Sequence, residues 1–118
     1  MSEKSQTTEL TAVMALHKAL DKKFAKDIVI IELDGLSPIA DYFVIATGGS
    51  APQLAALTET SEQLLKTHGM SLHHTEGLQS GKWVLLDFGA IIVHLFDKES
   101  RDYYNLERIW GDAKIINP

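Results

Sequence analysis

The segment Trp83 to Phe96, WVLLDFGAIIVHLF, constrains the fold more than any other part of the chain. Two apolar runs, Trp83–Phe88 and Ile91–Phe96, flank Gly89-Ala90, the pattern of a tight β-hairpin. Side chains on a strand alternate between faces. With a two-residue turn, Phe88 pairs with Ile91 and Leu86 with Val93. One face then carries Val84, Leu86, Phe88, Ile91, Val93 and Leu95 and is wholly apolar. The other carries Trp83, Leu85, Asp87, Ile92, His94 and Phe96. A one-residue slip would destroy this sorting, so this register is the one expected. The first face reads as core. The second has two readings. It is an inner face holding an Asp87–His94 pair under a helix, since buried polar groups find partners. Or it is a protein-binding patch with an aromatic centre and charge at its edge. An exposed Trp on a sheet face favours the patch. Six of the nine aromatic residues lie between Trp83 and Trp110, which points to the same half of the chain.

The remaining elements follow from periodicity and turn chemistry. Residues 1–7 are polar and expected to fray. Leu10, Val13, Met14, Leu16 and Leu20 have helical spacing, with Lys18, Lys22 and Lys23 toward the helix C-terminus. Asp27 to Leu33 is a β-branched strand, Asp34-Gly35 a turn, and Pro38 keeps the connection irregular. Tyr42 to Thr47 is continuously apolar, as in a strand buried on both faces. Ser50 caps a helix with Gln53 as its capping-box partner and Pro52 in the first turn. Leu54, Leu57, Ser61, Leu64 and His68 mark one face of that helix, and Gly69 ends it. Ser71 to Thr75 reads as a short strand and Glu76 to Lys82 as a loop. Asp97 caps a last helix that runs to Trp110, with Gly111 as its stop. The order α-β-β-α-β-β-β-α predicts an α/β (α+β) fold, a mixed sheet of about five strands flanked by helices.

Composition narrows the functional classes. A length of 118 residues corresponds to one domain, 1–118. With 45% hydrophobic residues it can bury about two-thirds of its extended surface. The absence of cysteine excludes a disulfide scaffold, a Cys-ligated metal and a thiol nucleophile. The formal charge of −5, from 16 acids and 11 bases, argues against wrapping nucleic acid through its phosphates. No run approaches the ~18 apolar residues of a membrane span. The N-terminus lacks the pattern of a signal or transit peptide, so a cytosolic protein is expected.

Signals for catalysis are weak. Gly48-Gly49-Ser50 leads from a strand into a helix, a turn that can hold a phosphate. A nucleotidyltransferase would add an Asp-x-Asp pair for magnesium. Here Asp87 stands alone, and there is no P-loop. His73 and His74 are adjacent, so on a strand they point to opposite faces and make poor metal ligands with His68. No GxSxG elbow surrounds Ser50. No cofactor is implied.

The chain resembles the ribosomal silencing factor family, also called the RsfS or Iojap family. The resemblance lies in DYFVIATG (Asp41–Gly48), Glu76-Gly77, WVLLDFG (Trp83–Gly89), VHLF (Val93–Phe96) and ESRDYYNLERIW (Glu99–Trp110), in that order and spacing. With the first helix and first strand it covers roughly residues 7–112. The resemblance implies a nucleotidyltransferase-like fold without the catalytic acids, and a protein that is not an enzyme. It implies binding to the large ribosomal subunit through ribosomal protein number fourteen. The consequences would be steric blocking of small-subunit association and repression of translation when nutrients are short. The family's contact Trp falls on Trp83. Strand alternation adds Leu85 and Asp87, the hairpin register adds His94, and Glu76 supplies an acid for basic groups on the partner. Direct RNA contact should be small and membrane contact absent. Two other readings are a small nucleotide-binding enzyme at Gly48–Ser50 and a homodimeric module pairing through its Trp83 face.

Overall fold

The hairpin forms in the expected register. In a computed structural model, which describes residues 2–33, 36–109, 111 and 113–116, β4 (Trp83–Asp87) pairs with β5 (Ile91–Phe96) through Leu86↔Val93 and Trp83↔Phe96. The Phe88 N–H donates to the Ile91 carbonyl at 2.9 Å, closing the turn at Gly89-Ala90.

The sheet grows outward from this hairpin. β2 (Tyr42–Thr47) lies parallel to β5 and is buried along its whole length, as its unbroken apolar run requires. β1 (Lys26–Glu32) pairs antiparallel with β2, and β3 (His74–Glu76) pairs antiparallel with β4. A short β6 (Lys114–Ile116) pairs antiparallel with β1 at the far edge. The result is a six-stranded mixed sheet of order β3-β4-β5-β2-β1-β6. β6 was not expected, because three residues cannot display a period. The third strand begins and ends later than its expected span, which places Glu76 on a strand rather than in a loop.

Two long helices cover one face. α1 (Ser2–Lys22) starts well before its apolar stripe; from Thr8 on, the first buried side chains are Ala12 and Val13, so the periodicity marks packing rather than the start of the helix. α2 (Ala51–Thr67) is capped as expected, with the Gln53 N–H donating to Ser50 Oγ at 3.1 Å. Its face of Leu54, Leu57, Ser61 and Leu65 is buried, and Gly69 follows it at φ +81°. Leu54, Leu57 and Leu65, with Leu16 and Leu20, pack on Val84, Leu86, Phe88, Ile91, Val93 and Leu95, the face read as core.

The other face is more thinly covered. Ile31, Leu33, Phe43, Ile45, Ile92 and Phe96 form its buried cluster, with Trp83, Leu85 and Leu106 packed against it. The helices here are short. α3 (Lys98–Tyr104) is capped by Asp97, and Asn105 at φ +44° breaks the chain before α4 (Leu106–Ile109). The expected single helix is therefore two, because Asn tolerates the left-handed conformation that ends α3. Asp34-Gly35 and Trp110 lie outside the described residues. Among the described residues no helix is long and apolar enough to cross a membrane.

Candidate partner-binding face

Strand pairing brings the sequence-derived site residues onto the thinly covered face. Glu76, Leu85 and His94 lie side by side across β3, β4 and β5. Trp83 precedes Leu85 by one pleat and Asp87 follows it by one, so all five share the face. Glu76, Gly77, Trp83 and Leu85 line a concavity of about 370 Å³.

Trp83 is half-buried and held on three sides. Its ring stacks on Phe96 at 5.0 Å between centroids and meets Tyr104 of α3 at 4.6 Å. Its Nε1–H donates to His94 Nδ1 at 3.1 Å. An indole N–H can only donate, so His94 Nδ1 carries no proton and the imidazole is neutral with its proton on Nε2. Burial pushes the His94 pKa down from 6.5 to about 4, which favours that neutral form.

Two expectations for this face need correction. His94 is only 4% exposed and cannot itself be a contact residue. Nor does it pair with Asp87. The Asp87 Oδ1 accepts the Gly89 N–H at 2.8 Å and closes the hairpin turn, while His94 turns to Trp83. Glu76 is exposed and its Oε2 lies 2.9 Å from His74 Nε2, giving the face a charged edge. Leu85 stays half-buried beside Trp83.

Sequence reasoning assigned no role to Tyr103, Tyr104 or Gly77. Tyr104 lies on Trp83, and Tyr103, 80% exposed, meets Tyr104 edge-on at 5.0 Å, so the aromatic surface continues off the sheet onto α3. The signal was present: Trp83 opposite Phe96 puts it beside the helix that follows β5. Gly77 has φ +81°, and a Cβ there would lie 1.8 Å from the Trp83 carbonyl oxygen. Only glycine allows β3 to end this close to Trp83.

Two of the three backbone N–H groups of the Gly48–Ser50 turn are already engaged. The Gly48 N–H donates to the Phe96 carbonyl at 2.9 Å, and the Gly49 N–H donates to Gln53 Oε1. Neither is free to cradle a phosphate. Asp87 lies in the row of Ile92 and Phe43, at the opposite end of β2 from Gly48. Five residues of strand, roughly 16 Å, separate them, so one magnesium could not bridge both. Beside the turn, Arg101 is buried with Nη1 on Thr47 Oγ1 at 2.9 Å and Nη2 on Glu107 Oε2 at 2.8 Å. It ties α3 and α4 to the end of β2.

Fold and face define a mixed α/β protein with an aromatic sheet surface edged by acids. The family described as "Ribosomal silencing factor during starvation" matches residues 5–118. A ribosomal silencing factor RsfS of Bacillus subtilis is 40% identical over 99 residues, covering 84% of each chain. A crystal structure of a Chromobacterium violaceum protein superimposes with a TM-score of 0.81 at 33% identity, covering 86% of this chain and 85% of that one. The mouse protein named "Mitochondrial assembly of ribosomal large subunit protein 1" is 32% identical over 94 residues, covering 77% of this chain and 41% of its own. The chain belongs to the ribosomal silencing factor family.

Proposed function

We propose that the chain acts as one domain, 1–118, that docks on the large ribosomal subunit through ribosomal protein number fourteen and blocks joining of the small subunit by its bulk. The result is repression of translation in the cytosol, chiefly under nutrient limitation, without catalytic turnover. The observation that carries this reading is Trp83, a half-buried indole held by His94, Phe96 and Tyr104 on an apolar, acid-edged face. Buried aromatic anchors surrounded by a polar rim dominate protein interfaces. Family membership and the relatives named for ribosomes support the ribosome as partner. A standard footprint of about 800 Å² per partner would occupy roughly a ninth of the 7000 Å² surface.

Trp83 is the anchor, Leu85 its apolar neighbour, and Glu76 and Asp87 the acids that meet basic groups on the partner. A net charge of −5 suits contact with a basic protein and disfavours contact with RNA phosphates. Trp83→Ala should cost at least ~2 kcal/mol of binding, about thirtyfold in Kd. A pull-down with purified large subunits tests this. Unchanged capture by a folded Trp83→Ala variant would remove the site assignment.

A further inference from the structure

His94 lies too deep to touch a partner, at 4% exposure, and its Nε2 has no hydrogen-bond partner. A buried N–H without an acceptor destabilises the fold, and an apolar side chain of similar size would avoid that cost. The other ring nitrogen has one use: Nδ1 accepts the Trp83 Nε1–H at 3.1 Å. Phe96 stacks on the indole and Tyr104 lies tilted against it, contacts that restrain the plane of the ring but are not directional within that plane. A hydrogen bond supplies that direction. The imidazole is itself fixed, edge-on to Phe43 at 4.7 Å and nearly parallel to Phe96 at 6.3 Å.

We infer that His94 is a positioning residue for the docking face: its unprotonated Nδ1 sets the rotation of the Trp83 ring, so that one edge of the indole is presented to the partner. This rests on the docking reading above. Among the described residues, the titratable and charged groups about this face include His74 and Glu76 on β3, bonded to each other two strands from His94, Asp87 on β4, and Arg101 on α3, which is bonded to Thr47 and to Glu107 of α4. None of these is hydrogen-bonded to His94, and desolvation keeps its ring neutral.

The test uses the full chain in two measurements. In the free protein, hydrogen exchange of the Trp83 indole N–H is followed by NMR, with the resonance assigned through Trp83→Phe. Binding to purified large subunits is titrated alongside. His94→Leu is expected to speed indole exchange and to weaken binding, each at least about tenfold. His94→Gln, whose Oε1 can accept the same proton, is expected to recover most of both. In the wild type, imidazole ¹⁵N shifts should show an unprotonated Nδ1 and no titration near pH 6.5, the ordinary value for histidine. Tight binding by His94→Leu while Trp83→Ala is lost overturns the positioning role alone. Normal binding by Trp83→Ala overturns the docking reading and the positioning role together. Should His94→Leu not fold, the wild-type ¹⁵N spectrum still decides: a protonated Nδ1 overturns the inference, and an unprotonated one supports it.

Discussion

A single buried imidazole links the stability of this protein to its proposed surface. His94 keeps a pKa of about 4 in the folded chain against 6.5 in the unfolded one. Between those values the unfolded chain binds a proton that the native chain does not. Stability is therefore full above the unfolded value and falls as pH drops through the window, by about 3 kcal/mol. Urea midpoints at neutral pH and near the folded value measure this loss, and His94→Leu should show it reduced by about that amount. An equal loss in both proteins would assign the acid sensitivity elsewhere. Gly77 makes a second residue-scale case. Gly77→Ala places a Cβ on the Trp83 carbonyl, whereas at Gly69, also at φ +81°, nothing lies within 4 Å of the added carbon. Both substitutions strain the backbone by about 1 kcal/mol. Only Gly77→Ala should cost several kcal/mol and also weaken large-subunit binding, as read by melting temperature and pull-down. Equal effects of the two would show that the Trp83 contact is unimportant. The place of Trp83 on this face was legible from the sequence, but its hydrogen-bond partner was not. His94 has Trp83 and Asp87 as its two diagonal neighbours on β4, and strand alternation treats them alike. Asp87 is claimed by the Gly89 N–H, a local turn contact invisible to the face pattern, and Trp83 takes the imidazole.

Secondary-structure elements were legible wherever a period had room to repeat. The hairpin register, the fully buried β2 and the capped start of α2 all follow from patterns six or more residues long or from a specific cap. β6 and the break at Asn105 did not show, because three strand residues carry no period and a left-handed Asn is a single local choice. The break matters to the site. By stopping α3 after Tyr104 it leaves that ring on Trp83, and Arg101, bonded to both Thr47 and Glu107, holds the two short helices against the sheet. α3 should then contribute to docking as an element. Tyr104→Ala removes a ring contact of about 1 kcal/mol and is expected to weaken large-subunit binding about fivefold. Tyr104→Phe should bind as the wild type does. Equilibrium titration of both variants checks this, and full affinity in Tyr104→Ala would confine the site to the sheet.

For the molecule as a whole, the asymmetry of the sheet is the organising fact. Two long helices seal one face, and on the other side Trp83, Leu85 and Tyr104 remain partly accessible. The acidic balance, with 16 acids against 11 bases, fits the basic protein partner proposed for that face. In the proposed function this face holds the protein on the large subunit and thereby prevents subunit joining. Sucrose-gradient sedimentation tests it most directly, with purified subunits mixed under joining conditions in the presence of the wild type or of Trp83→Ala. Wild-type protein should co-migrate with the large subunit and deplete the joined-ribosome peak, while a folded Trp83→Ala variant stays at the top of the gradient and leaves that peak intact. Undiminished joining with wild-type protein bound, or depletion by Trp83→Ala equal to that by the wild type, would contradict the account.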